Sequence, residues 1–263
     1  MPGALSTPCC EPMGATTRGP VGIMRRTLMA PTHLRKVRSF VRRPGRTTKA
    51  QQRALTRLLP RWGVPYGTQR IDLAEIFGRR APRVLDIGFG DGEALLTTAA
   101  NNSGVDYLGV EVHEPGIGHL LVLLEKADLG NVRIINRDVV DVIDHMIEDR
   151  SFDAVNLFFP DPWPKKRHHK RRLIQTVFVA AVARILVHGG LFHVATDWAD
   201  YAEHTREVIA HSGDFTPVPA EDLSDDPLAF RPPTKFERRG LSLDHIIRDQ
   251  YYTVRPAQPS GTD

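Results

Sequence analysis

The chain has 263 residues, is 41% hydrophobic and carries a formal net charge of +4, enough for one α/β domain with a full core and a loose extension. Its two cysteines, Cys9 and Cys10, are adjacent, which excludes a disulfide framework and a cysteine-based metal site. No apolar stretch has the length of a secretory leader or a membrane span, so a cytoplasmic protein with no membrane association and no metal is expected.

In chain order, residues 1–29 are rich in Gly, Pro, Ser and Thr and have no hydrophobic period, and they read as a disordered tail. Residues 30–60 read as a basic arm, since lysines and arginines recur to Arg57 and Glu11 is the only acid before Pro60. Within it, residues 49–59 have helical composition, and Pro60 is expected to end that helix. Residues 61–263 then alternate. Apolar β-rich runs at 83–87, 107–112, 132–135, 154–159 and 190–195 are separated by helical stretches at 93–100, 116–127, 173–186 and 201–211. Nearly continuous apolar strands alternating with helices predict an α/β, Rossmann-like, mostly parallel sheet with helices on both faces, ending in a short C-terminal extension.

The first strand runs through Asp86 into Gly88-Phe89-Gly90-Asp91-Gly92 and a helix. Glycines there allow a sharp turn and a close backbone approach to a ligand. A dinucleotide fingerprint needs Gly or Ala where this chain has Glu93, a bulky anion close to the place of a pyrophosphate. A donor with positive charge and no phosphate, such as S-adenosylmethionine, tolerates those carboxylates. Glu111 ends the second strand, where Rossmann-like folds set a carboxylate on ribose hydroxyls, and Asp138 follows the third, within reach of a base. Each acid alone is also what a helix cap or turn uses; three at successive strand ends favour a cofactor pocket.

The fourth strand leads into Phe158-Phe159-Pro160-Asp161-Pro162-Trp163-Pro164-Lys165, then Lys166-Arg167-His168-His169-Lys170-Arg171-Arg172. Prolines on both sides stiffen the backbone around Asp161. Trp163 is either a stacking surface for a base or an ordinary packing residue, and the cationic run suits phosphates. His168 and His169 lack the partners of a metal site. Asp197 follows the fifth strand beside Trp198, as a functional acid or a turn acid. Thr234-Lys235-Phe236-Glu237 has the spacing of a capping box at a helix start.

Together these segments, with Ser39-Phe40-Val41-Arg42-Arg43-Pro44-Gly45-Arg46, Gly109-Val110-Glu111-Val112-His113 and Ala195-Thr196-Asp197-Trp198, resemble the bacterial tRNA (guanine-N7-)-methyltransferase family over residues 37–255. Two positions depart from its pattern: Asp86 where many members have Glu, and Pro164 in place of a less rigid residue. The resemblance implies a class I methyltransferase fold, S-adenosylmethionine as donor, and N7 of guanosine 46 in the tRNA variable loop as acceptor. It implies that Asp86, Gly88, Gly90, Glu111, Asp138 and Asp161 line the cofactor pocket. Asp161 would also be catalytic, as a positioning and electrostatic group. Lys165, Asp197, Thr234, Lys235, Phe236 and Glu237 would meet the tRNA, with Arg167, His168, His169, Lys170, Arg171 and Arg172 also touching RNA.

Two alternatives stay open. A non-catalytic RNA-binding protein could use the basic tracks but has no need of the strand-end acids. A methyltransferase for rRNA, DNA or a protein is closer, although amino-group methylation usually goes with Asp/Asn-Pro-Pro-aromatic and here the order is Pro-Asp-Pro-Trp. Monomer and homodimer are equally compatible with the sequence.

Overall fold

A computed structural model describes residues 47–256, all within the unit Val37–Asp263. The expected tail, the arm up to Arg46 and the last residues of the C-terminal extension lie outside the described residues.

Seven strands form one sheet: β1 Arg83–Ile87, β2 Asp106–Glu111, β3 Val132–Asn136, β4 Phe152–Phe158, β5 Leu186–Thr196, β6 Phe215–Val218 and β7 Arg248–Val254. Their order is β3-β2-β1-β4-β5-β7-β6. The first five are mutually parallel, and β7 runs antiparallel to both β5 and β6. This is the class I methyltransferase topology. The strand order reverses between β1 and β4, which opens a crevice at their carboxyl ends.

The helices are α1 Lys49–Trp62, α2 Leu73–Phe77, α3 Glu93–Asn101, α4 Glu114–Ala127, α5 Val139–Met146, α6 Thr176–Ile185, α7 Ala199–Ser212 and α8 Lys235–Leu241. Both sheet faces are apolar because both are covered. Val84, Tyr107 and Ile134 pack with α1, α3 and α4. Leu85, Ile87, Val110 and Val194 pack with α5, α6 and α7 on the other side. Such continuous burial is what a parallel sheet requires of its strands.

One expectation is corrected here. Pro60 does not end α1, which continues to Trp62. Trp62 is 1% exposed, and its indole N–H donates to the Leu129 carbonyl at 2.8 Å. Burying an aromatic of that size contributes on the order of 3 kcal/mol, which matches the ~3 kcal/mol that an interior proline costs a helix. α1 packs on α4, where Gly118 leaves room for Gln51. The sequence reading also passed over α2, α5, β6 and β7. β6 carries Pro217 and sits at the sheet edge, the place where a strand tolerates a missing N–H.

Candidate functional site

The site begins with the loop after β1. Gly88, Gly90 and Gly92 all have positive φ, of 72°, 63° and 80°, a backbone path that side chains with a Cβ resist. A second glycine requirement comes from α4. A Cβ on Gly116 would lie 1.9 Å from the Gly90 carbonyl oxygen, so only glycine lets the helix press on the loop. His119 of α4 adds a contact from its Nδ1 to the Asp91 carbonyl at 2.8 Å.

Glu111 finishes β2 and folds back onto this loop. One carboxylate oxygen accepts the Gly90 amide at 3.0 Å. The other accepts the Val112 and His113 amides at 2.6 and 2.9 Å. Three backbone donors fix the carboxylate and leave it a further lone pair for a ligand. Asp138 caps α5 by accepting the Val140 amide at 3.1 Å. For Asp138, the helix cap and the pocket acid are therefore the same carboxylate.

Gly88, Gly90, Glu111, Asp138, Asp161 and Phe236 share the wall of one cavity of about 400 Å³ at the carboxyl ends of the strands. Asp86 does not line it. Asp86 faces an adjoining space of about 30 Å³ beneath Thr234, Lys235 and Phe236, and the two share Gly88, Gly90, Phe158, Phe159 and Phe236. Burial, and then the charge of Glu111, push the Asp86 carboxyl up to about 7. A buried acid of this kind is relieved by a cationic ligand group. A larger groove of about 950 Å³ opens at the amino ends of β4 and β5. Its lining includes an Arg184–Asp149 ion pair, and none of the strand-end acids reaches it.

Asp161 follows a distorted backbone. Phe159 and Trp163 have φ of 50° and 45°, uncommon for bulky residues, each costing on the order of 1–3 kcal/mol. The prolines expected to stiffen this turn thus act between two strained aromatics. Trp163 packs edge-on against His168 at 5.8 Å and lies under the Arg171 guanidinium at 4.9 Å, so one of its neighbours is already a cation.

The basic run forms a 3-10 helix, Lys166–Arg171, with Lys165 at its N-cap. Lys165, Lys166, Arg167 and Lys170 are exposed, and His168 is half-buried. Desolvation and the charges of Arg167, Arg171, Lys165 and Lys170 hold His168 below the usual histidine range. Arg172, expected on the same RNA-facing surface, is instead 2% exposed. Its Nε donates to the Pro162 carbonyl at 3.0 Å, and its Nη2 pairs with Asp200. These bonds tie the loop after Asp161 to α7.

Asp197 is half-buried and pairs with His245 Nδ1 at 2.9 Å, tying β5 to the turn after α8. Thr234 and Glu237 close the capping box of α8, with 3.0 Å from the Glu237 amide to the Thr234 hydroxyl and 3.3 Å from the Thr234 amide to the Glu237 carboxylate. Phe236 projects from this helix, 53% exposed, and stacks on Phe159 at 6.5 Å. Lys235 lies 4.0 Å from Asp91, and Arg238 pairs with Glu93 at 3.2 Å. The helix thus bridges the glycine-rich loop and the strand-end aromatics. Sequence reasoning missed His113 and Arg137, which also line the cavity; their places just after β2 and β3 were the available signal. Among the described residues, no cluster of His, Cys, Asp and Glu could hold a metal, and no helix is long and apolar enough to cross a membrane.

Residues 80–249 match the family described as "Putative methyltransferase". The chain is 53% identical over 234 residues to a tRNA (guanine-N(7)-)-methyltransferase of Alkalilimnicola ehrlichii, covering 88% of this chain and 98% of that protein. It is 51% identical over 223 residues to the protein of the same name from Halorhodospira halophila, covering 84% and 96%. For the corresponding Burkholderia thailandensis protein the identity is 50% over 228 residues, covering 87% and 85%.

Proposed function

The chain belongs to the tRNA (guanine-N(7)-)-methyltransferase family, and from that premise we propose that it transfers a methyl group from S-adenosylmethionine to N7 of guanosine 46 in the tRNA variable loop. One observation carries the reading. Glu111, Asp138 and Asp161 converge on one cavity from three strand ends, and a cationic surface helix follows Asp161 directly in the chain.

The residues present fit the donor. Asp86, buried and raised to about 7, suits a cationic amino group. Glu111 suits ribose hydroxyls, and Asp138 suits the adenine. The several acids around the glycine loop disfavour a phosphate-bearing cofactor. When bound, S-adenosylmethionine supplies an electrophilic methyl group.

The acceptor sets what the protein must do. Guanine N7 has an in-plane lone pair and no proton at neutral pH, so attack on the methyl carbon needs no general base. The protein has to hold N7 close to that carbon and exclude water, and orientation of this kind supplies much of the acceleration. Methylation makes the purine cationic. Asp161 accepts hydrogen bonds from guanine N1–H and N2–H₂ and stabilises the growing charge. Because N7 lies inside the folded tRNA, the base has to be exposed to reach a pocket. Phe236 offers a ring on the cavity wall, Trp163 offers a second ring two residues after Asp161, and Lys165, Arg167, Lys170 and Arg171 offer phosphate contacts. A cytoplasmic location agrees with this substrate.

The test is methyl transfer by the purified full chain to a tRNA transcript with guanosine at position 46 and to one with adenosine there. The proposal expects 7-methylguanosine at that site in the first transcript alone. Equal methylation of both, or methylation elsewhere, overturns the site assignment.

A further inference from the structure

Behind the loop that carries Asp161 lies a chain of charged groups in which Arg231, Asp249 and His193 have no part in the cofactor and RNA assignments. Its centre is Arg231, whose side chain is 8% exposed. Nε donates to Asp249 Oδ1 at 2.8 Å and Nη2 to Oδ2 at 3.0 Å. The other edge of the guanidinium meets Glu237, with Nη2 3.3 Å from Oε1 and Nη1 closer to Oε2. Its plane lies over two rings, 5.6 Å from Phe158 and 5.7 Å from Phe159. One side chain thus touches β7, the cap of α8 and the end of β4.

The anchor is deeper. His193 on β5 is fully buried, and its Nε2 lies 2.8 Å from Asp249 Oδ1. The ring is held between Tyr251 at 4.1 Å and the edge of Phe158 at 4.8 Å. Burial disfavours the Asp249 carboxylate, but hydrogen bonds from His193 and Arg231 outweigh it and hold the group at about 2. Burial keeps His193 below its usual range despite Asp249. A carboxylate only accepts, so the imidazole donates to Asp249 from Nε2.

The geometry has a consequence for the site. Glu237 closes the α8 capping box, so the Arg231–Glu237 pair fixes where α8 begins. Phe159 holds a strained φ of 50° two residues before Asp161, and the guanidinium over its ring keeps it there. We propose that Arg231 is a positioning residue for methyl transfer. On that view it clamps α8 to the aromatic pair that leads into Asp161, with Asp249 and His193 as its fixed support. The inference rests on the methyltransferase reading above and assigns Arg231 no contact with cofactor or guanine.

Arginine is required because its planar fork serves two carboxylates and two rings at once, which an ammonium cannot. The experiment compares the wild-type chain with Arg231→Lys, each also in an Asp161→Asn background. Single-turnover transfer is measured at saturating tRNA and S-adenosylmethionine, and S-adenosylhomocysteine affinity by calorimetry. Arg231→Lys should lower the transfer rate at least about tenfold, as a displaced positioning group does, and change the affinity by less than about threefold. In the Asp161→Asn background the same change should cost less than about threefold, because it acts through Asp161. A folded Arg231→Lys protein with the wild-type rate, or an equal loss in both backgrounds, overturns the clamp. If Arg231→Lys does not fold, Asp249→Asn weakens the clamp from its other carboxylate and is judged by the same criteria. A wild-type chain that methylates no tRNA guanine refutes the underlying reading and the clamp with it.

Discussion

Asp86 shows how one buried acid links stability to binding. Its carboxyl rises from an ordinary 3.8 to about 7 because burial and Glu111 oppose its charge. The folded chain therefore holds this proton more tightly than the unfolded chain. The resulting penalty is absent below 3.8, grows as pH rises and is complete above about 7. Its ceiling is roughly 4 kcal/mol. Asp86→Asn should raise the urea midpoint at pH 8 and make little difference near pH 4. S-adenosylhomocysteine binding to wild type should weaken as pH falls through 7, and binding to the variant should be weaker and flat with pH. A variant that binds like wild type at every pH would remove Asp86 from the cofactor contacts. Arg172 carries a different lesson at this scale. As the last member of a basic run it looked like its neighbours, and only the tertiary fold turns it inward to the Pro162 carbonyl and Asp200.

At the level of elements, the cationic 3-10 helix divides into a surface and a support. Arg167→Ala should weaken tRNA binding and lower the slope of log affinity against log salt, because one phosphate contact and its counterions are lost. Arg172→Ala should leave that slope unchanged and destabilise the fold by about 1–3 kcal/mol, through the loss of buried hydrogen bonds. Salt titrations of tRNA binding and denaturant melts of the two variants separate the cases. The reverse pattern would return Arg172 to the RNA surface. Strands β1 to β5 were legible because burial on both faces writes an unbroken apolar run, and helices α3, α4, α6 and α7 were legible between and after them. β7 was not, since Arg248, Asp249 and Gln250 interrupt it and its neighbours are supplied by distant residues. α1 was readable as a helix, but its length was set by the burial of Trp62 on α4, which no local pattern reveals. The glycine loop and the acids at 111, 138 and 161 could be read because strand ends fix where they lie. The Arg231 chain could not, because its partners at 193, 237 and 249 meet only in the folded sheet.

For the whole molecule, charge is unevenly placed: lysines and arginines crowd the residues up to Arg57, where Glu11 is the only acid. Deleting residues 1–29 should leave methyl transfer near the wild-type rate, whereas deleting residues 1–46 should also weaken tRNA binding and flatten its salt dependence. Indistinguishable salt titrations for the two truncated chains would take the arm out of RNA binding.

The central claim is that Asp161 promotes methylation of guanine N7 by charge and position, with no proton removed. It is tested most directly by single-turnover methyl transfer at saturating S-adenosylmethionine, on a tRNA with guanosine 46, between about pH 5.5 and about pH 8.5. The wild-type rate should be nearly flat, since the Asp86 titration acts on cofactor affinity and saturation removes it. Asp161→Asn should be slower by about a hundredfold or more at every pH, because its amide sets a donor against the guanine donors and supplies no charge. A variant that transfers methyl groups at close to the wild-type rate, or a wild-type rate that climbs about tenfold per pH unit through neutrality, would contradict the account.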